Sequence, residues 1–440
     1  MKQGGFGSSP VGNQSSHPTR GVIALLAALA AIGTLSTNII LPSFPAIAAG
    51  LGASDSQLSL TLSVFFIVFA VGQLVVGPLS DRFGRRKLII GGLLIFAAGG
   101  VVCAQAAEPD VLVLGRGIQA AGVCAAAVLA RAIARDLFEG ETLARVLAMV
   151  IVAMAAAPGF SPLLGGLTER FIGWRMTFLA VSAFGLALAL CYALRLRETH
   201  AASRRVSLAV RPILGVYGRL LIDPRFLRPV VVVMCITAGL YGFFAAAPSV
   251  LMGAIKLSAL EMGIFFAATV PIVFAAGLAV PRLSLRWGAA RMIQVGIVLA
   301  MIGGMMIWIA SARFPSSLTA FTFALCVFLL GMGIANPLST ALALAPFGEQ
   351  AGAASAMLGF IQMSGAALGA MLVNTPSGVS HMAAVGILIS VFQMIALIAF
   401  WTRCRNSRTD RGNGSGWSRA IPAQQRRHLD GADKRSDAEL

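Results

Sequence analysis

Two long apolar segments that lie almost end to end constrain this chain more than any other feature. Residues 58–80 and 88–107 are mostly apolar, and at their junction lies the charged run Gly77-Pro-Leu-Ser-Asp-Arg-Phe-Gly-Arg-Arg-Lys87. An α-helix rises about 1.5 Å per residue, so each segment has the ~20 residues that cross the ~30 Å apolar core of a bilayer. The pair therefore predicts two membrane-spanning helices joined by a very short charged loop.

Apolar segments of this kind recur along the chain. Of its 440 residues, 58% are hydrophobic and 12% are charged, more apolar side chains than the core of a soluble protein of this length needs. Twelve segments have the length and composition of a membrane span: 21–43, 58–80, 88–107, 111–134, 143–168, 174–194, 229–251, 261–281, 292–311, 317–345, 352–373 and 381–401. The sequence therefore predicts an all-α integral membrane protein with twelve transmembrane helices.

The positions of Lys and Arg predict the orientation, because positively charged loops stay in the cytoplasm. With a cytoplasmic N-terminus, nearly all of the 34 Lys and Arg are cytoplasmic; the exceptions are Arg170, Arg175, Lys256 and Arg313 in outer loops and Arg116 within a span. Both termini are therefore predicted to be cytoplasmic. The net charge of +17 reflects this asymmetry and attraction to anionic lipid head groups, so no nucleic-acid partner is expected.

Breaks in the apolar pattern divide the chain into five predicted parts. These are a disordered tail (1–20), a six-helix bundle (21–194), a basic linker (195–228), a second six-helix bundle (229–401) and a second disordered tail (402–440). The run Arg82-Phe-Gly-Arg-Arg-Lys87 has a weak copy 204 positions later, Arg286-Trp-Gly-Ala-Ala-Arg291. This repeat predicts two pseudo-symmetric bundles with a substrate cavity between them at the membrane midplane.

Cofactor chemistry is not expected. Five of the six cysteines lie inside apolar segments, with no metal-binding spacing and no disulfide framework, and are interpreted as small core residues. No span holds a His, Cys and Asp cluster or paired carboxylates at catalytic spacing, which disfavours a membrane enzyme or receptor.

The charged run at Gly77–Lys87 resembles the loop signature of the major facilitator superfamily. Further motifs resemble its bacterial drug-resistance branch, usually called Bcr/CflA: Leu41-Pro-Ser-Phe-Pro45, Gly72-Gln73, Arg116-Gly-Ile-Gln119, Arg131-Ala-Ile-Ala-Arg-Asp136, Ala157-Pro-Gly-Phe-Ser-Pro-Leu-Leu-Gly-Gly166, Gly173-Trp-Arg175 and Glu198-Thr199. The resemblance covers most of residues 21–401. It implies a monomeric inner-membrane transporter that exports drugs in exchange for protons by alternating access, with no cofactor or metal.

The resemblance also implies a conformational latch in the charged loop. Its members are Gly77, Asp81, Arg82, Gly84, Arg85 and Arg86, with Arg131 as a further candidate. From the residues alone, Gly77 allows a close helix approach, and Asp81 can cap a helix or pair with an Arg in one conformation. The alternative is a charge run that only anchors the loop in the cytoplasm.

The fifth segment contains Pro158, Pro162, Gly165 and Gly166, which interrupt a regular helix and remove bulk from one face. A bilayer tolerates such a segment only where neighbours satisfy the freed carbonyls, so we expect it to pack against another helix. The resemblance implies the antiporter motif, which keeps the cavity from leaking. A kinked packing helix without that role is the alternative.

Arg116 is the one charge in the middle of a span, and insertion costs roughly 2.5–3.5 kcal/mol for such a residue, so we expect it to face the cavity. The resemblance places Arg116 and Gln119 in a motif implicated in proton coupling; snorkelling of Arg116 to the surface is the alternative. Relatives commonly carry an acid where this chain has Asn38, and an amide does not exchange protons in the useful range. Proton coupling is therefore an open expectation.

Polar groups are sparse in the expected cavity. Candidates for coupling or substrate contact are Asn38, Arg116, Gln119, Tyr241, Asn336 and Gln362, together with Gln73, Phe243, Phe244, Phe265 and Phe266. Each also fits ordinary helix packing, but so few polar groups suit lipophilic, weakly polar compounds better than sugars. The two functions left open are export of amphipathic drugs or metabolites and proton-independent transport of an anionic metabolite with Arg116 as counter-ion.

Overall fold

The computed structural model describes residues 20–199, 210–374 and 378–409, and no β-strand occurs in these ranges. Both predicted disordered tails lie largely outside them, as does part of the predicted linker. The helices are α1 (Arg20–Asn38), α2 (Phe44–Leu51), α3 (Asp55–Phe83), α4 (Arg85–Ala104), α5 (Pro109–Leu137), α6 (Gly140–Arg195), α7 (Val210–Ile222), α8 (Pro224–Ala247), α9 (Ala259–Trp287), α10 (Ala289–Arg313), α11 (Leu318–Leu344), α12 (Ala351–Val373) and α13 (His381–Thr409).

In the described residues, eleven helices are long and apolar enough to span a membrane. One of them, α6, contains a sharp kink at Gly173, where φ is 75°, a conformation that glycine adopts without steric cost. The Arg175 guanidinium fixes this corner by donating hydrogen bonds to the carbonyls of Ala106 (2.9 Å) and Ala104 (3.2 Å). Because α6 crosses twice, the prediction of an all-α protein with twelve spans is confirmed.

The first and seventh spans differ from the predicted segments. The first helix ends at Asn38, followed by the 3₁₀ turn Leu41–Ser43 and the short helix α2, because Pro42 and Pro45 lack the N–H groups that continue a helix. The seventh span begins at Pro224, inside the predicted linker, and continues past α8 as the π-helix Pro248–Ala254.

The internal repeat extends well beyond the loop motif. Helix α9 matches α3 in length and lies 204 positions later, and each follows a serine capping box, at Ser54 and at Ser258. Each also ends at a glycine with positive φ, Gly84 (88°) and Gly288 (83°). The same local signals therefore start and stop the same helix in both halves of the chain.

Loops lie at two ends of the helices. We call the end formed by residues 83–85, 137–140, 195–199, 287–289 and 344–351 the basic end, and the end formed by residues 51–55, 104–109, 254–259, 313–318, 373–374 and 378–381 the opposite end. Helices α1–α6 pack together, as do α8–α12, and the two halves meet chiefly along α3 against α12 and α6 against α9.

Helix α7 was not anticipated from the sequence, which indicated only a basic linker. Its Tyr217 and Leu220 are buried in an apolar cluster with Phe226 and Leu358 of the second half. The Tyr217 hydroxyl donates a hydrogen bond of 3.1 Å to the Leu74 carbonyl of α3, and burial raises the pKa of this phenol. The linker therefore contacts both halves at the basic end.

Candidate functional site

A central cavity of about 390 Å³ lies between the two halves. Its walls come from α1, α3, α5, α6, α8, α9, α11 and α12, and residues near the basic ends of α5, α11 and α12 (Arg131, Leu344 and Ser355) line it. The cavity therefore reaches the basic end.

Most of the lining is apolar. Aliphatic side chains outnumber the aromatic rings and methionines in it, and the polar side chains are scattered: Thr34, Thr37, Gln73, Arg131, Thr237, Tyr241, Asn336, Thr340, Ser355 and Gln362. Small-molecule sites usually combine an apolar wall with a few hydrogen-bonding groups of this kind. Such a lining suits an amphipathic molecule and leaves most of a sugar's hydroxyl groups without partners.

The structure brings Gln73, Tyr241, Asn336 and Gln362 of the predicted set to the cavity, and Arg131 joins them. Four predicted aromatic residues do not line it. Phe243, Phe244, Phe265 and Phe266 pack against one another in edge-to-face and tilted arrangements, with ring centroids 5.2–6.0 Å apart. These rings pack within the second half, as the alternative of ordinary helix packing had them.

Arg116 does not line the cavity, contrary to our expectation. It is fully buried inside the first half and donates hydrogen bonds to Gln119 Oε1 (2.8 Å) and the Ser36 carbonyl (3.2 Å). The Phe65 ring, which lines the cavity, lies 4.4 Å from the guanidinium carbon. Phe65 therefore covers the cation, and this aromatic face stabilises the buried guanidinium. Snorkelling is also excluded by the complete burial.

Several polar atoms around Arg116 have no hydrogen-bond partner in the described part of the chain. They include Nε and Nη2 of Arg116, Nε2 of Gln119 and both amide atoms of Asn38, which is 1% exposed. The Asn38 side chain lies beside the Tyr241 hydroxyl, but without good hydrogen-bond geometry. Unpartnered buried donors of this kind are rare in folded proteins, which makes this cluster a candidate for a role in transport.

The charged loop at the basic end is held by contacts that the sequence did not specify. Arg85 forms an ion pair with Asp136 at the end of α5, and both side chains are largely buried. The Glu198 carboxylate accepts hydrogen bonds from the backbone N–H groups of Arg85 (2.9 Å) and Arg86 (3.3 Å). A carboxylate at this position satisfies free N–H groups at the start of α4 and complements the helix dipole.

Other proposed latch residues are less engaged in this conformation. Asp81 is exposed, accepts a 3.4 Å hydrogen bond from Ser80 and forms no ion pair within the described ranges. Arg82 is also exposed and lies over the Phe83 ring, 5.2 Å from its centroid. At Gly77 no atom lies within 4 Å of the position a Cβ would take, so the close helix approach predicted there is absent. The cavity reaches this end of the protein, and the helices lie apart there.

The opposite end is closed by polar contacts between the halves. Asp55 of α3 pairs with His381 (3.3 Å) and accepts a hydrogen bond from Ser249 (3.1 Å), while Asn374 donates to the Ser59 hydroxyl. The sequence does not predict these contacts, because the partners lie some 200 to 300 positions apart in the chain. The one available signal was that Asp55 and His381 begin spans on the same predicted side.

Helix α6 reinforces this closure through its small residues. A Cβ at Gly165 would overlap the Ile39 carbonyl where α1 breaks, and a Cβ at Gly166 would overlap the Ala259 carbonyl at the start of α9. A Cβ at Gly159 would meet the Val270 side chain of α9. The predicted antiporter segment thus packs tightly against both halves, and Pro158 lines the cavity beside it.

The sequence profile of the Major Facilitator Superfamily matches residues 26–370. The chain belongs to the major facilitator superfamily. Other superfamily proteins are similar along most of their length. The chain is 29% identical over 381 residues to an uncharacterized MFS-type transporter, YdgK, of Bacillus subtilis, covering 86% of this chain and 94% of YdgK. It is 26% identical to Multidrug resistance protein D of Escherichia coli, with the same coverage. It is 28% identical to the Chloramphenicol resistance protein of Pseudomonas aeruginosa, covering 79% and 82%.

Solved superfamily structures share the fold. A bacterial homologue of the human lysosomal transporter Spinster, in an inward-facing and unoccupied conformation, superposes with a TM-score of 0.70 at 18% identity, covering 89% of this chain and 98% of that one. The nucleoside transporter NupG superposes with a TM-score of 0.68 at 14% identity, covering 87% and 99%. Membership of the superfamily makes this protein a multi-pass membrane transporter of small molecules rather than an enzyme.

Proposed function

We propose that this protein is a drug efflux transporter of the Bcr/CflA branch, a monomer in the bacterial inner membrane with both termini in the cytoplasm. It exports amphipathic small molecules by alternating access in exchange for protons. The observation that carries the proposal is the central cavity, which is closed at the opposite end, reaches the basic end and is lined by aromatic rings with few amides. The similarity to a multidrug resistance protein and a chloramphenicol resistance protein supports the same substrate class.

Alternating access follows from how the ends are held. The contacts Asp55–His381 and Asn374–Ser59 join the halves only at the opposite end, whereas the ion pair Arg85–Asp136 lies within the first half. Separation of these two contacts and of the α6–α9 packing at Gly166 opens the cavity outward without disturbing either bundle. In the outward-open state the basic end closes, and there the latch at Asp81 and Gly77 forms its contacts.

A proton-independent transporter of an anionic metabolite is the second candidate. It is favoured by one observation: the cavity lining of the described residues includes Arg131 and no carboxylate. With Asn38 in place of an acid, that lining offers no group that titrates as an Asp or Glu does.

Drug susceptibility and transport assays in a strain lacking its own efflux pumps separate the two candidates. We expect expression to raise the inhibitory concentration of chloramphenicol or florfenicol relative to the empty vector, and a protonophore to abolish efflux of the same compound. A broad panel without any shift, in cells whose membranes contain the protein, refutes drug export. Efflux that persists with the protonophore refutes proton exchange and leaves the second mechanism.

A further inference from the structure

The charge of the cavity determines which drugs this transporter accepts. We propose that the cavity binds neutral and anionic amphipathic molecules, excludes permanent cations, and uses Arg131 as the anchor for a negatively charged substrate group. This inference rests on the proposed export function and specifies its substrate class.

The acidic side chains of the described residues lie at the two ends of the helices, and none lines the cavity. At the basic end, Asp136 pairs with Arg85 and Glu198 binds the start of α4, while Asp81 is exposed and outside the cavity lining. A cation in the cavity therefore finds no carboxylate to replace its lost hydration. Moving an ion out of water without a counter-charge is strongly unfavourable.

Two arginines make the cavity electropositive. Arg131 lines the α5 wall and forms no ion pair within the described ranges. Arg116 lies behind the Phe65 ring, so its charge acts on the cavity across one aromatic side chain. Arginine stays protonated under all ordinary conditions. Low-dielectric surroundings strengthen the effect of both charges on a bound ligand.

Neutral hydrogen-bonding groups complete the site. Asn336, Thr340, Ser355 and Gln362 line the cavity on α11 and α12, across from the Arg131 helix. The Oδ1 atom of Asn336 has no hydrogen-bond partner in the part of the chain that the structure describes. These groups suit the hydroxyl, amide or nitro groups of an uncharged drug, while Arg131 binds a carboxylate or a similar anion.

Displacement by two ions of the same shape and opposite charge tests the proposal. Purified protein in nanodiscs is loaded with radiolabelled chloramphenicol, which is then displaced by tetraphenylborate, an anion, or by tetraphenylphosphonium, a cation. One charge about 10 Å from the ligand at an effective dielectric of about 20 changes affinity about tenfold. We expect tetraphenylborate to displace chloramphenicol at a concentration at least tenfold lower than tetraphenylphosphonium.

Single substitutions show whether the difference between the two ions comes from the charge of the cavity or from other properties of the ions. In Arg131→Gln we expect the ratio between the displacing concentrations of the two ions to fall several-fold. The matched control Arg135→Gln removes the same charge from the same helix, but outside the cavity lining. In this control the ratio of displacing concentrations should stay within about twofold of wild type. In Gln362→Glu the new carboxylate should make tetraphenylphosphonium an effective competitor.

Each failure has a distinct meaning. Bound chloramphenicol that both ions displace equally in wild type overturns charge selection and leaves drug export intact. An equal change in Arg131→Gln and Arg135→Gln refutes the anchoring role of Arg131. Wild-type protein that binds neither chloramphenicol nor either ion overturns the proposed export function, and the inference with it.

Discussion

Adding one methyl group at Gly166 should open the opposite end of the transporter. A Cβ there would lie 3.0 Å from the Leu260 Cα and closer still to the Ala259 carbonyl oxygen, which are backbone atoms of the other half. Backbone does not move aside as a flexible side chain does, and overpacking of this kind costs typically 1–3 kcal/mol. We expect this contact to separate when the opposite end opens, so the cost should fall on the closed conformation.

The control variant is Gly91→Ala, because no atom lies within 4 Å of a Cβ at Gly91. Both substitutions gain about 0.8–1.0 kcal/mol of helix propensity, which cancels between them. The difference is then the overlap at Gly166, about 2 kcal/mol, or about thirtyfold in the equilibrium between the two conformations.

Amide hydrogen exchange measured by mass spectrometry reports this shift without labelling. In Gly166→Ala, exchange should rise in peptides covering 54–66 and 244–262 at the opposite end and fall in peptides covering 131–145 and 340–356 at the basic end, relative to Gly91→Ala. Faster exchange at both ends would indicate unfolding. That result, or equal exchange in the two variants, would refute the idea that tight α6–α9 packing holds this end closed.

Five further substitutions test the remaining charged and polar positions. Asp136→Asn leaves the largely buried Arg85 without its carboxylate, which should cost about 2 kcal/mol of stability and lower the melting temperature of the purified protein. Adding Arg85→Gln in the same chain should recover part of that stability. Asp81→Asn should lower transport several-fold at normal membrane abundance, because Asp81 acts in the other conformation; unchanged transport would leave only a loop anchor. Arg116→Ala should abolish transport, whereas Asn38→Asp should increase its dependence on an imposed pH gradient in proteoliposomes, since the new carboxylate ionises in one conformation and is protonated in the other. If the imposed pH gradient already drives wild-type transport strongly and Asn38→Asp does not change that dependence, the emphasis on position 38 is refuted.

The fold was predictable because its main signals are local in the sequence. Membrane crossing requires about 20 apolar residues, and each helix end needs a cap that short motifs provide, as at Ser54 and Gly84. The sequence did not predict helix α7, because a helix of 13 residues is too short to span the bilayer and this one lies among arginines. The segment therefore resembled an ordinary basic loop. Its apolar face became clear only through Tyr217 and Leu220 packing on the second half.

The site was less predictable because its decisive contacts come from other helices. Arg116 and Arg131 are fifteen positions apart on α5, which at 3.6 residues per turn places them within about 60° of each other around the helix. Periodicity therefore assigns both to the same inward face and gives no reason to separate them. What separates them is Phe65 of α3, whose ring covers Arg116 while Arg131 lines the cavity.

The same Phe65 ring connects this buried cation to the contact between the halves. It lies 6.1 Å from the Phe66 ring, which in turn lies 4.5 Å from the ring of Tyr241 on α8. Phe66 and Tyr241 belong to different halves, so their contact changes whenever the halves rock, and the Asn38 amide lies beside the same tyrosine. The polar cluster around Arg116 is therefore closed to the cavity in this conformation, yet only one aromatic residue separates it from a surface that must move during transport. The expected loss of transport in Arg116→Ala thus rests on the position of Phe65, which the α5 sequence alone does not contain.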